Sequence, residues 1–110
     1  MCVFCKIANG EIPAQIVFED ARVIAFNDIA PQAPTHILVI PKEHIESATE
    51  VTDLGLWSYL MYTALQIVKA LDLDKKGYRI VINTGEQGGQ TVSHLHLHIL
   101  AGRNLGWPPG

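Results

Sequence analysis

The segment His94–Leu100, HLHLHIL, restricts this chain more than any other stretch. Polar and apolar residues alternate from His94 to Ile99, which is the period of a β-strand. His94, His96 and His98 share one face, and Leu95, Leu97 and Ile99 share the other. A strand with one apolar face must bury that face. The partner is a helix, because Trp57, Leu60, Met61, Ala64, Leu65, Val68 and Leu71 recur at i, i+3, i+4 and i+7 spacing. Thr52 or Asp53 is placed to cap its start, and Gly77 lies beyond its end. Trp57 and Met61 read as core packing for that helix.

The remaining segments read as strands and turns. Ile16–Glu19 and Val23–Asn27 form a hairpin pattern, and Asp28–Pro34, with two prolines, reads as a loop. The β-branched run His36–Ile40 predicts a third strand that stops at Pro41. Tyr78–Asn83 predicts a fourth strand, Thr84–Thr91 a glycine-rich turn and Ser93–Leu100 a fifth strand. The expected class is α+β: an antiparallel sheet of about five strands with one main helix on a face.

With 110 residues, 48% hydrophobic and 17% charged, the chain can bury a core, and residues 1–110 are expected to form one domain. No apolar run approaches the roughly 20 residues needed to span a bilayer. The opening MCVFCKIANG lacks a secretory pattern, so a cytoplasmic, reducing location is expected. A net charge of −3 disfavours nucleic acid as a partner but is compatible with one small anionic ligand.

Three arrangements compete for the histidine face. It is a solvated surface, a metal site, or a row with divided labour. Histidine is too uncommon for the first to explain three in a row at period two. At about 3.3 Å rise per residue, His94 and His98 lie roughly 13 Å apart, too far for three bonds of about 2.1 Å to converge from one straight strand. The third arrangement is favoured: one ring structural, one a nucleophile, one a donor to an anion. Near neutral pH an imidazole is largely uncharged and nucleophilic while a neighbour can carry charge. The pair Cys2 and Cys5 is half of a four-ligand zinc site, or else two inert thiols.

The triad does not stand alone. FCKIANGEIPA, FNDIAPQAPTHILVIPKEHI, GGQTVSHLHLHIL and GRNLGWPPG span nearly the whole chain. Together they resemble the histidine-triad (HIT) superfamily, and within it the histidine-triad nucleotide-binding branch that hydrolyses purine nucleoside phosphoramidates. The resemblance implies a homodimer with one continuous sheet and a purine nucleoside monophosphate held beside the triad. It implies that His96 attacks the α-phosphorus of a nucleotide–amine conjugate, with a nucleotidyl-histidine as intermediate. Donors to the phosphate are implied at His98, Asn83, Thr91 and the backbone of Gly89; Gly88 and Gly89 would let backbone approach an anion.

By the same resemblance, Phe4, Ile7, Ile12, Phe26, Asn27, Asp28 and Ile29 hold the nucleoside, Asp28 through the ribose hydroxyls. For Asp28 a loop-capping Asx turn is the competing reading, and for the apolar residues core filling. His36 is implied to orient the nucleophilic ring, against the alternative of a satisfied core histidine. Cys2, Cys5, His44 and His94 are implied to hold a structural zinc, with no redox cofactor or magnesium required. The Trp107 tail either reaches the partner's site or anchors a dimer. Two alternatives stay open: the dinucleoside polyphosphate hydrolase branch, against which the WPPG ending argues, and a non-catalytic nucleotide-binding adaptor.

Overall fold

The computed structural model describes residues 2–110. Five strands form one antiparallel sheet: β1 (Ile16–Glu19), β2 (Val23–Asn27), β3 (Thr35–Pro41), β4 (Tyr78–Ile82) and β5 (Leu97–Ala101), in the order β1-β2-β3-β5-β4. The main helix, α2 (Leu54–Ala70), packs on one face, so the class is α+β as the pattern requires. Among the described residues no helix is long and apolar enough to cross a membrane.

The core between α2 and the sheet contains Leu56, Leu60, Ala64, Ile67 and Val68 from the helix. Facing them are Leu95, Leu97 and Ile99, with Val23, Ala25, Ile37 and Val39 from the central strands. The buried stripe of α2 is rotated slightly from the expected one. Trp57 and Met61 pack at its edge, and Leu71 is exposed. Asp53 caps the helix by accepting the Gly55 N–H, which settles the choice between Thr52 and Asp53. The helix ends before Gly77. Asp72 already adopts the left-handed conformation, φ 58°, which aspartate tolerates better than most residues.

Two departures from the sequence pattern build the second face. First, the chain forms a short helix α1 (Val3–Ala8) at its start, capped by the Cys2 thiol, which accepts the Cys5 N–H at 3.2 Å. Phe4 of α1 joins Ile24, Phe26, Leu38 and Ile40 in a second apolar cluster. Second, the ladder begins at Leu97, not at Ser93. Residues 94–96 form an arm whose backbone bonds elsewhere: the Leu95 N–H donates to the Ile45 carbonyl at 2.7 Å. The side chains still alternate. The leucines face α2, while His94 and His96 are buried on the α1 side with the partly exposed His98 beside them.

Candidate active site and metal centre

On the α1 side of the sheet lies a cavity of about 350 Å³. Phe4 and Ile7 form one wall from α1, and Ile12 and Phe26 another. Asn27, Asp28 and Ile29 lie at the end of β2, and Thr91, His96 and His98 complete the lining. These ten sequence-derived positions therefore meet in one place. Val3, Pro13, Ala14, Leu38 and Val92 also line it; as plain apolar residues they carried no chemical signal in the sequence. Ile29 is fully exposed at the rim. Asn83 and Gly89 do not line the cavity. Gly88 serves its own turn, since a Cβ there would meet the Thr84 carbonyl oxygen at 2.2 Å.

Hydrogen bonds to the main chain fix the proton on each buried imidazole, because a carbonyl can only accept and an amide N–H can only donate. His96 Nδ1 donates to the His94 carbonyl at 2.7 Å, so its Nε2 keeps the lone pair. The Gln32 N–H donates to His36 Nδ1 at 3.0 Å, so the His36 proton sits on Nε2. That Nε2–H donates to His98 Nδ1 at 2.9 Å, which places the His98 proton on Nε2. His98 Nε2 is buried and has no partner among the described residues. The chain of bonds thus sets a lone pair on His96 and a free N–H on His98, with the two rings 4.9 Å apart.

The resemblance implied a bond from His36 to the His96 ring; the hydrogen bond goes to His98. The two rings meet because His36 on β3 and His98 on β5 are diagonal neighbours in a register that pairs His36 with Leu100 and Leu38 with His98. Asp28 forms the Asx turn, its Oδ1 accepting the Ala30 N–H at 2.8 Å, and its Oδ2 lies 3.5 Å from His36 Nε2.

The neighbouring rings are not charged helpers. Burial lowers the pKa of His36, with Asp28 opposing, and also that of His94. For His98, burial, with His96 and His36 adding to it, pushes the pKa down to about 4. His98 is therefore neutral at pH 7, with its one N–H at Nε2.

His94 belongs to a different cluster. Its Nε2–H donates to the Pro41 carbonyl at 2.8 Å, which leaves the Nδ1 lone pair facing Cys2 Sγ at 3.3 Å and Cys5 Sγ at 3.5 Å. His44 Nδ1 lies 3.2 Å from Cys5 Sγ and 3.6 Å from Cys2 Sγ, and the two sulfurs are 3.2 Å apart. Zinc–sulfur bonds of about 2.3 Å and zinc–nitrogen bonds of about 2.0–2.1 Å give tetrahedral edges of roughly 3.3–3.8 Å. The four donors fit that ion in number and chemistry; their separations of 3.2–3.6 Å are close to those edges, with the two sulfurs nearer together than a bound ion would hold them. Burial, followed by the Cys2 thiol, raises the Cys5 pKa. A second triplet, Asp28, His36 and His98, is equally close but fits a metal poorly. The Gln32 amide keeps the proton on His36 Nε2, the atom an ion would need.

Alternate histidines running from an arm into an antiparallel strand, beside an apolar cavity, are the arrangement of a histidine-triad protein. The HIT domain model matches residues 9–105, and the chain belongs to the HIT family. It is similar to a HIT family hydrolase from Legionella pneumophila, with 51% identity, full coverage of both chains and a TM-score of 0.97. It is 46% identical to a 14 kDa zinc-binding protein of Zea mays, over 98% of this chain and 87% of that one. A histidine-triad nucleotide-binding protein from Candida albicans superposes with a TM-score of 0.86 at 34% identity, over 98% of this chain and 83% of that one.

Proposed function

We propose that this protein is a hydrolase that cleaves purine nucleoside 5′-phosphoramidates, including aminoacyl or lysyl conjugates of adenosine monophosphate. The observation that carries this reading is the proton pattern of the triad: a His96 Nε2 lone pair beside a His98 N–H with no partner among the described residues, both at an apolar cavity that the Asp28 carboxylate also lines. The hydrolase and nucleotide-binding names of the Legionella and Candida relatives support it.

In the first step the His96 Nε2 lone pair attacks phosphorus. The P–N bond breaks with its electron pair on the amine, which takes a proton from water and leaves. No proton has to leave His96, because its Nδ1–H stays on the His94 carbonyl. The resulting cationic nucleotidyl-imidazole is a good leaving group. In the second step water attacks phosphorus and the P–Nε2 bond breaks, its pair returning to His96. The water gives its surplus proton to solvent, and a nucleoside monophosphate is released. One difficult displacement becomes two easier ones.

His98 Nε2–H donates to the phosphoryl oxygens, where charge builds, and Thr91 offers a hydroxyl at the same cavity. Asn83 and Gly89 would join only if the 84–91 turn closed over the phosphate. Phe4, Ile7, Ile12, Phe26 and Ile29 flank the purine, with Asn27 at its polar edge, and Asp28 accepts from the ribose. His36 is a positioning residue that fixes His98. Zinc, held by Cys2, Cys5, His44 and His94, is structural: its tetrahedral set is closed and lies outside the cavity lining. The zinc-binding name of the maize relative supports this assignment. The homodimer would extend the sheet through one of its two edges, β1 or β4.

The test is a comparison of kcat/KM on an adenosine phosphoramidate and on a diadenosine polyphosphate. Preference for the phosphoramidate is expected. Preference for the polyphosphate would move the protein to that branch, and tight nucleotide binding without turnover of either would leave an adaptor.

A further inference from the structure

Helix α1 serves two sites at once. It has six residues, too few to be stable alone, so its position depends on what holds it. On one side, Cys2 and Cys5 meet His44 and His94. On the other, Val3, Phe4 and Ile7 form a wall of the cavity. Phe4 packs edge-on against Phe26, His96 and His94, at ring-centre distances of 5.5, 5.1 and 6.0 Å.

A second connection runs through His94. Its ring is gripped between the Pro41 carbonyl and the two thiols, and its own carbonyl takes the Nδ1–H that sets the His96 lone pair. The metal-binding cluster therefore fixes one wall of the cavity and the acceptor that orients the nucleophile.

We infer that metal binding at Cys2, Cys5, His44 and His94 and nucleotide binding in the cavity are cooperative, with Cys2 and Cys5 acting as positioning residues for the nucleotide site. This rests on the nucleotide reading above. A metal bound at the cluster holds α1 and the 94–96 arm in the form that the nucleotide requires, so each ligand tightens the other by the same factor. Couplings of this kind typically amount to about 5- to 150-fold.

The experiment measures the affinity for adenosine 5′-monophosphate by calorimetry in zinc-loaded and chelated protein, and in His44→Ala. His44 lies outside both α1 and the cavity, so its loss weakens the metal site and leaves both connections in place. Alongside it, zinc release from the loaded protein to a chromophoric chelator is timed with and without saturating nucleotide. This second measurement needs no stable metal-free form. At least a fivefold loss of nucleotide affinity on chelation, recovered on adding zinc back, and slower zinc release with nucleotide present are expected. Equal nucleotide affinity in loaded and folded chelated protein overturns the coupling alone, as does a release rate indifferent to nucleotide. Failure to take up zinc also overturns it. Nucleotide bound by neither form would overturn the coupling and the proposed function together.

Discussion

Replacing His98 with phenylalanine should separate stability from activity. An aromatic ring is kept, larger than imidazole by about one CH group that the adjoining cavity can take, and both nitrogens are lost. His98 Nε2 is buried with no partner among the described residues, and a buried donor left unsatisfied costs about 1–3 kcal/mol. The change also removes the His36–His98 hydrogen bond, worth about 0.5–1.5 kcal/mol net. The His36 Nε2–H then has the Asp28 carboxylate 3.5 Å away as a substitute acceptor. The balance is a protein as stable as wild type or more stable, by roughly 0–2 kcal/mol. Loss of a preorganised donor to a developing oxyanion costs about 10²–10³ in kcat. Urea unfolding and initial rates on a fluorogenic phosphoramidate measure the two quantities on the same sample. A variant with kcat within threefold of wild type would refute the donor role. Destabilisation by more than about 2 kcal/mol would show that Nε2 is satisfied in the free protein.

Other consequences are equally open to measurement. His98 titrates near pH 4 when folded, against about 6.5 in an unfolded chain. The unfolded state therefore binds more protons between these values, and stability should fall as pH drops from about 6.5 to 4. The upper bound is about 3 kcal/mol, or on the order of 1–2 kcal/mol after solvent screening, read from urea unfolding at stepped pH. His36 and His94, also held low by burial, act in the same direction. Gly102→Ala should destabilise by more than about 1 kcal/mol and lower kcat. Its φ is +96° and a Cβ would meet Pro34 at 2.8 Å, two residues before His36; wild-type-like melting and kcat would refute this. Chelation should lower the melting temperature more than it lowers kcat at saturating substrate. Immediate loss of turnover with the fold intact would make the metal catalytic.

What the sequence made legible follows the range over which each signal acts. The period-two alternation from His94 located the leucines that meet α2, because side-chain direction is a local property. It could not show that 94–96 is an arm rather than part of the ladder, since alternation is blind to where backbone N–H groups bond. Helix α1 was missed because six residues hold less than two turns, and what stabilises it is remote: Phe4 on Phe26, and Cys2 and Cys5 facing His44 and His94. The four metal-type ligands were named through a family resemblance, not through local pattern, since His94 lies 92 residues from Cys2. The ring that His36 bonds is hidden in the sequence for a related reason. It depends on the β3–β5 register, which joins residues 62 apart and leaves no trace in either strand alone.

The most direct measurement is intact-mass spectrometry of rapidly quenched protein during turnover of an adenosine phosphoramidate. Wild type should gain the mass of one adenylyl group, mapped to the peptide carrying His96, and His96→Ala should gain none and lose turnover. An adduct on another residue, or full-rate cleavage by His96→Ala, would contradict nucleophilic attack by His96.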